Sequence, residues 1–207
     1  MSKPKKSYHR PNLEEFLIEK AAEIIASRGI EALSLRELGR CADVSRTAPY
    51  HYFTDKAALL FKVGELGFRR LGERIDREIG DVPLSVEQLR RGLRGYVRFA
   101  LEDEHFFRLM FANVLRRDLL STPSEAGPDL LFSSESAQRT FMVLLDGILR
   151  LQGEGMLRAA DPRLLLNVLW AYSHGVAVLA LDRHLKYGDD MVVFDAGLDA
   201  LLRAYAD

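Results

Sequence analysis

Apolar residues recur along the chain at the spacing of α-helices, and stretches that alternate in the manner of a β-strand are scarce. The first helical segment carries five apolar residues at helical spacing, namely Leu13, Phe16, Leu17, Ala21 and Ile24. This spacing places them on one face of an amphipathic helix. Gly29 is suited to end that helix, because glycine tolerates the left-handed backbone found beyond many helix C-termini. The chain is therefore predicted to be all-α.

Capping residues divide the rest of the chain into further helices. Ser34 and Glu37 have the spacing of a capping box, which predicts a short second helix at Leu35–Ala42. Ser45 is a second N-cap and predicts a third helix at Ser45–Phe53. Residues 121–133 are rich in Ser, Pro and Gly and predict a loop. Six later helices bring the expected number to about nine, at roughly 54–80, 85–103, 105–120, 134–154, 161–184 and 194–205.

Residues 33–56 have the pattern of a helix-turn-helix. Two short helices joined by so tight a turn have to cross steeply, with Leu38, Ala42 and Val44 packed in the inner corner. In a helix-turn-helix the second helix enters the DNA major groove, where Arg can bond guanine, Thr can touch a base and Tyr can reach a phosphate. Side chains of these kinds occupy the predicted outer surface of the second helix, at Arg46, Thr47, Tyr50 and His51.

The charge of the chain is nearly balanced but unevenly distributed. The sequence has 29 basic and 30 acidic residues, and residues 1–60 hold ten of the basic ones against eight acidic ones. Four of these bases, Lys3, Lys5, Lys6 and Arg10, lie in the first ten residues, where there is no acidic residue. This basic arm either lies along a DNA duplex or serves as a solubilising tail.

Other functional classes have weak support in the sequence. The five histidines lack metal-binding spacing and there is no Gly-rich phosphate loop, so no enzyme activity, metal or cofactor is predicted. Cys41 is the single cysteine, which suits the cytoplasm, and its place beside core residues predicts a buried, inert thiol. Residues 164–181 carry no charge, but Asn167 and His174 are costly in hydrocarbon. A soluble protein with no membrane span is expected.

The segment 35–56 resembles the DNA-binding signature of the tetracycline-repressor (TetR) family of bacterial regulators. That signature is an apolar helix, a corner of small residues and Val-Ser, followed here by Tyr50-His-Tyr-Phe53, Lys56 and Leu59-Leu60. The resemblance covers about residues 13–61. A second stretch, Trp170-Ala-Tyr-Ser-His174-Gly175, is similar to a Trp-x-x-x-His-Gly motif in one branch of the family.

Two positions depart from the family pattern. Asp43 stands where the family usually has a turn glycine, and Asp tolerates the left-handed backbone better than most residues. Pro49 lies four residues after the Ser45 cap, lacks an N–H and disfavours helical geometry at Ala48. We therefore expect an irregular start to the third helix.

The resemblance implies a DNA-binding domain at 1–57, including the arm, and a helical ligand-binding and dimerisation domain at 58–207. Phe53 would be a core residue that holds the third helix in place. Bases or the adjoining backbone would be contacted by Arg46, Thr47, Tyr50 and His51. Phosphates would be contacted by Arg36, Tyr52 and Lys56.

The resemblance also implies a homodimer formed by the last two helices, and a repressor that a small effector releases from a palindromic operator. The alternative for the uncharged helix at 164–181 is the core of a monomer. A hydrophobic or aromatic effector is implied, in a pocket drawn from Phe106, Phe107, Met110, Phe111, Phe141, Met142, Trp170 and, as polar anchor, His174. Aromatic and methionine stripes of this kind also occur as plain core. A second hypothesis is a helical small-molecule-binding or scaffolding protein whose DNA-binding head has lost its role.

Overall fold

The computed structural model describes residues 12–111 and 134–206, and over these ranges the chain is all-α, with no β-strand. This confirms the predicted fold class. The predicted basic arm, the loop at 121–133 and the last part of the helix at 105–120 lie outside the described residues. Within these ranges there are two 3₁₀ helices, at Ile30–Ala32 and Ala48–His51. The α-helices of the described residues are α1 (Leu13–Arg28), α2 (Leu35–Cys41), α3 (Lys56–Ile79), α4 (Val86–Glu102), α5 (Glu104–Met110), α6 (Glu135–Gly153), α7 (Pro162–Leu181) and α8 (Asp190–Tyr205).

The chain forms two compact units, residues 1–63 and 64–207. In the first unit α1 buries the apolar face predicted for it, including Leu17 and Ala21. It ends at Gly29, whose φ of 78° is the positive value expected there. The Ser34 hydroxyl accepts a hydrogen bond from the Glu37 amide at 3.1 Å, which confirms the predicted start of α2.

The second unit is built around α7, which packs against α4, α6 and α8. Three of its helices begin next to the predicted first residues, where Ser85, Ser134 and Asp161 each accept a hydrogen bond from a backbone amide of the first turn. The last helix begins four residues earlier than predicted. Its cap is Asp189, whose carboxylate accepts from the Met191 amide at 2.8 Å.

Among the described helices, α7 is the one whose length and composition would suit a membrane span. Its most apolar window has a mean hydropathy of 1.7. The central helix of a soluble protein has the same properties, and α7 has protein neighbours in α4, α6 and α8. Its buried residues include Leu165, Leu169 and Ala177. The length and hydropathy of α7 are therefore weak evidence for a membrane.

Helices α7 and α8 are held together by Tyr172. Its hydroxyl donates to the backbone carbonyls of Val193 at 2.9 Å and Phe194 at 3.0 Å. Its ring stacks on that of Phe194, with 5.8 Å between centroids. The Tyr172 ring fits at this place because Gly197 has no side chain. A Cβ at Gly197 would overlap the Tyr172 hydroxyl and ring.

We therefore predict that Gly197→Ala destabilises the protein. The added methyl group has to displace Tyr172 from a packed contact, and overpacking of this kind costs about 1–3 kcal/mol. Chemical denaturation followed by circular dichroism measures the change. Gly147→Ala in α6 is the matched control, because a Cβ at Gly147 meets nothing within 4 Å, and alanine favours a helix by roughly 0.5–1 kcal/mol. Equal stability of the two variants would contradict the steric role of Gly197.

Candidate functional site

The segment after α2 forms a 3₁₀ helix rather than the predicted α-helix. An α-helix at Ser45–Phe53 was expected, and the structure has the four-residue 3₁₀ helix Ala48–His51, so that prediction is wrong. The Tyr52 amide donates to the Pro49 carbonyl at 3.1 Å, three residues back, as a 3₁₀ helix requires. Pro49 gives the physical reason, because it has no N–H and disfavours α-helical geometry at Ala48.

The turn before the 3₁₀ helix is tight because of two backbone features. Asp43 has a φ of 53°, which confirms the left-handed backbone expected there. Gly39 lies so close to the chain after the turn that a Cβ would be 3.1 Å from the Ser45 carbonyl oxygen. Leu38 and Ala42 are buried in the corner, as predicted. Gly39 was not among the predicted residues, because its only signal in the sequence is a glycine inside a helical pattern.

The 3₁₀ helix and its flanks present exposed polar and aromatic side chains. Tyr50 and Tyr52 are 56% and 44% exposed, while Phe53 is buried as predicted. The exposed side chains of this segment are those predicted to contact DNA, namely Arg46, Thr47, Tyr50, His51 and Tyr52. Arg36, on α2, is exposed as well.

Lys56 differs from the other predicted contact residues because it is half-buried. Its ammonium group donates to the Ile30 carbonyl at 3.0 Å, which joins the start of α3 to the 3₁₀ helix after α1. An ammonium group has three N–H donors. Two therefore remain for another acceptor, such as a phosphate oxygen.

A charged cluster joins α1 to α2 in the same unit. The Glu37 carboxylate accepts from Arg40 at 2.7 and 2.8 Å and from Arg28 at 3.0 Å. These hydrogen bonds lower the pKa of the Glu37 carboxyl to about 2, and the hydrogen bonds from Arg40 make the largest contribution to that shift. Cys41 is half-buried, and its sulfur lies 3.4 Å from Glu37. The prediction of a buried thiol is therefore wrong, because position 41 faces the charged end of α1 instead of the core.

The second unit contains a chain of hydrogen bonds inside an aromatic cluster. The Trp170 indole N–H donates to the Tyr96 hydroxyl at 3.1 Å, and that hydroxyl lies 2.8 Å from His174 Nδ1. Tyr96 is fully buried, and burial raises the pKa of its hydroxyl well above the ordinary value. Burial also lowers the pKa of the His174 imidazole. Tyr96 was not among the predicted residues, because a tyrosine on the buried stripe of α4 has the pattern of ordinary core.

The predicted effector residues are only partly brought together. The rings of Phe111 and Trp170 lie within 6 Å of His174, and Phe141 lies edge-on to Trp170 at 5.2 Å between centroids. Phe106 and Met110 pack elsewhere, against the position of Gly67 on α3. Phe107 also contacts His174, with 5.2 Å between ring centroids, whereas Met142 is exposed.

Described residues of the second unit line two pockets that bear on ligand binding. A pocket of about 230 Å³ beside the aromatic cluster, here called the His174 pocket, is lined by Phe107, Arg108, Phe111, His174, Val178 and Leu181. A larger groove of about 630 Å³ lies among α3, α4 and α6, and Met142 and Gly147 are part of its wall. Among the described residues, no group of His, Cys, Asp and Glu side chains could hold a metal ion.

Two sequence families match the chain. Residues 17–63 match "Bacterial regulatory proteins, tetR family". Residues 89–204, more than half of the chain, match "Tetracyclin repressor-like, C-terminal domain". No curated protein matches the chain.

Solved structures of similar fold cover nearly the whole chain. A Rhodococcus sp. RHA1 protein of unknown function is 27% identical and superposes with a TM-score of 0.80, over 98% of this chain and 100% of that one. A TetR-family transcriptional regulator from Pectobacterium atrosepticum is 24% identical, with a TM-score of 0.67 and 93% of each chain covered. A TetR-family transcription regulator from Marinobacter aquaeolei VT8 is 18% identical, with a TM-score of 0.66, over 92% of this chain and 94% of that one.

Members of this family are soluble bacterial transcription regulators that bind operator DNA and small-molecule effectors and act as dimers. Both halves of the family pattern are present here, with the helix-turn-helix region in the first match and the ligand-binding helices in the second. The chain belongs to the TetR family of bacterial transcription regulators.

Proposed function

We propose that this DNA-binding regulator is a homodimeric repressor that leaves a palindromic operator when a small hydrophobic or aromatic effector binds its C-terminal helices. The observation that carries the proposal is the exposed segment Arg46–Tyr52, fixed beside α2 by the close approach at Gly39. Repression follows if the operator overlaps a promoter, because the bound dimer then excludes the polymerase. We assign DNA binding to residues 1–57 and effector binding and dimerisation to residues 58–207.

Within the DNA-binding part, each side chain has a role suited to its chemistry. We assign base or adjoining backbone contacts to Arg46, Thr47, Tyr50 and His51, since these side chains are exposed along one short segment. Arg and Thr can read base edges, and tyrosine hydroxyls suit phosphates. We assign phosphate contacts to Arg36, Tyr52 and Lys56.

The base contacts predict a sequence-specific loss of affinity. DNA fragments selected by the protein from genomic DNA should share an inverted repeat. Arg46→Ala and Tyr50→Ala should each weaken binding to that repeat by about 1–3 kcal/mol where a base contact is lost, as measured by fluorescence anisotropy. Arg139→Ala is the matched control, because Arg139 is 78% exposed in the second unit. If the Arg46 and Tyr50 variants both bind the repeat with the affinity of the parent, these contacts are refuted. If no repeat is selected, the result favours a small-molecule-binding or scaffolding protein whose DNA-binding part has lost its role.

The phosphate contact of Lys56 predicts a different signature. Lys56→Met should weaken binding to all DNA sequences alike and reduce the slope of log K against log salt by about one, because one fewer counterion is released. Lys186→Met, an exposed lysine of the second unit, should leave the slope unchanged. Thermal melting has to accompany the titration, since Lys56 also bonds the Ile30 carbonyl. A slope equal to the parent's in a folded Lys56 variant would exclude the contact.

The last two helices support a dimer interface through their outward faces. Exposed or half-buried small and apolar residues recur at helical spacing on α7, at Leu164, Val168, Ala171, Gly175 and Leu179. Exposed residues of the same kind recur on α8 at Val192, Ala196, Ala200 and Ala204. Small residues on a continuous face allow close approach of a second copy. A symmetric pair would also match a palindrome with half-sites about 34–36 Å apart.

This interface predicts that a charge on the α7 face separates the subunits. Leu179→Asp should convert the dimer to a monomer in sedimentation-velocity experiments, because an aspartate buried between two copies loses its hydration without a partner. Leu149→Asp on α6 is the matched control, since Leu149 is 49% exposed and Leu179 is 43% exposed. A stable dimer in the Leu179 variant, or a monomeric parent, would contradict the interface.

The effector proposal rests on the aromatic cluster of the second unit. Of the predicted effector residues, we assign contacts to Phe111, Phe141, Trp170 and His174, which lie together, and not to Phe106 and Met110, which pack against the position of Gly67. The rings of Phe111 and His174 line the His174 pocket, which favours a planar apolar ligand. Such a ligand releases DNA only if it binds the DNA-free form more tightly than the DNA-bound form.

A further inference from the structure

We propose that the His174 pocket binds an uncharged, single-ring aromatic molecule with a carbonyl oxygen, and that Tyr96 is the positioning residue that makes His174 its hydrogen-bond donor. The inference rests on the proposed function, because it names the chemical class of the effector. Its basis is the direction of the hydrogen bonds from Trp170 through Tyr96 to His174.

The directions of these bonds follow from the atoms involved. An indole N–H can only donate, so the Tyr96 oxygen accepts from Trp170. The hydroxyl oxygen could accept a second hydrogen bond, but its own proton is buried with Tyr96 and needs an acceptor. Among the described residues that acceptor is His174 Nδ1, 2.8 Å away. His174 Nδ1 therefore accepts, and in a neutral imidazole the proton lies on Nε2.

The chain of hydrogen bonds from Trp170 through Tyr96 to His174, here called the relay, leaves one hydrogen-bond donor of His174 for a ligand. His174 lines the pocket. Among the described residues its hydrogen-bond partner is the Tyr96 hydroxyl, which bonds to the Nδ1 atom of His174. The atom that remains is Nε2–H, which donates. A ligand with an acceptor oxygen satisfies this group, whereas a purely apolar ligand would desolvate it without a partner.

The walls of the pocket determine the shape of the ligand. The rings of Phe107 and Phe111 lie 5.2 and 4.7 Å from the His174 ring, and Val178 and Leu181 complete the apolar lining. At about 230 Å³, the pocket is smaller than the roughly 300–1,000 Å³ typical of sites for drug-sized ligands. One aromatic ring with a short substituent suits this space.

The charges at the pocket favour an uncharged ligand. Arg108 is the cation of the lining, and its guanidinium already donates to Glu104 at 2.7 Å and to Asp182 at 2.6 Å. These two carboxylates outnumber the single guanidinium. A carboxylate ligand would have to displace one of them or approach a site with an excess of negative charge. A carbonyl oxygen accepts from His174 without that cost.

Three probes of similar size test this class on the full chain without DNA. Acetophenone has the ring and the carbonyl, ethylbenzene lacks the acceptor, and benzoate carries a charge. We expect acetophenone to bind about tenfold more tightly than ethylbenzene, as one hydrogen bond allows, and more tightly than benzoate. Titrations followed by NMR measure the three affinities. Equal affinity for acetophenone and ethylbenzene, or a preference for benzoate, would overturn the inference.

Variants separate the hydrogen bond from the packing. His174→Phe keeps an aromatic ring and should bind ethylbenzene at least as well as the parent, while the preference for acetophenone falls to about one. Gly147→Phe is the matched control, because Gly147 lines the larger groove and a Cβ there meets nothing within 4 Å, so the added ring can enter that groove. It should leave the affinity for acetophenone unchanged. Loss of acetophenone binding in the Gly147 variant would place the ligand in the larger groove and overturn the proposal.

The role of Tyr96 has its own readout. In the parent, the ¹⁵N shifts of His174 should report a protonated Nε2 and an unprotonated Nδ1. Tyr96→Phe removes the hydroxyl, so the two tautomers should become mixed and the preference for acetophenone should fall several-fold. Unprotonated Nε2 in the parent would refute the relay without any variant. If the Tyr96 variant keeps the parental shifts and preference, Tyr96 does not position His174.

DNA release is measured separately, so that the two proposals can fail independently. If acetophenone binds with the expected preference and leaves the operator complex intact, the site is supported and the effector part of the proposed function is contradicted. If acetophenone shows no preference while another small molecule releases the operator, the repressor model stands and this inference is wrong.

Discussion

The close approach of α2 to the chain that follows it is the constraint on which the DNA-binding surface depends. At Gly39 a Cβ would lie 3.1 Å from the Ser45 carbonyl oxygen and 3.3 Å from the Arg46 Cα. A side chain at position 39 would force the neighbouring backbone to move away by a few tenths of an ångström. The turn is completed by the left-handed backbone of Asp43. A rigid corner of this kind fixes the exposed segment by packing, so its short 3₁₀ helix does not have to be stable in isolation.

Several buried polar groups of the second unit have hydrogen-bond partners within the protein. Ser173, fully buried on α7, donates to the Leu169 carbonyl at 2.7 Å, and Thr140 on α6 donates to the Phe68 carbonyl at 2.9 Å. The ion pairs Arg90–Asp199 and Arg94–Asp195 join α4 to α8 at the edge of the core. Because buried polar groups are costly without partners, such bonds specify one arrangement of the helices.

Local signals made most of the fold predictable, and distant contacts account for the errors. The predicted helix starts at Ser34 and Ser85 were correct because a cap acts within three residues. The predicted α-helix at Ser45–Phe53 was wrong because Pro49 indicates only an irregular start, and the balance between α and 3₁₀ geometry there also depends on packing against Gly39. The prediction that Cys41 is buried was wrong because its neighbour Arg28 lies on another helix, and the local sequence does not show that contact. Tyr96 was missed because its partner His174 is 78 residues away.

The short helix α5 explains how a ligand in the His174 pocket would affect more than the pocket itself. Phe107 contacts the His174 ring. Met110, on the same helix of seven residues, packs so closely against Gly67 of α3 that a Cβ at Gly67 would overlap its side chain. A helix this short moves as one piece, because its backbone hydrogen bonds tie both residues to the same turns. Displacement of Phe107 by a ligand would therefore also shift Met110 against α3. The contact between Met110 and Gly67 can transmit such a shift because it is close-packed, with the Met110 sulfur 2.8 Å from where a Cβ of Gly67 would lie.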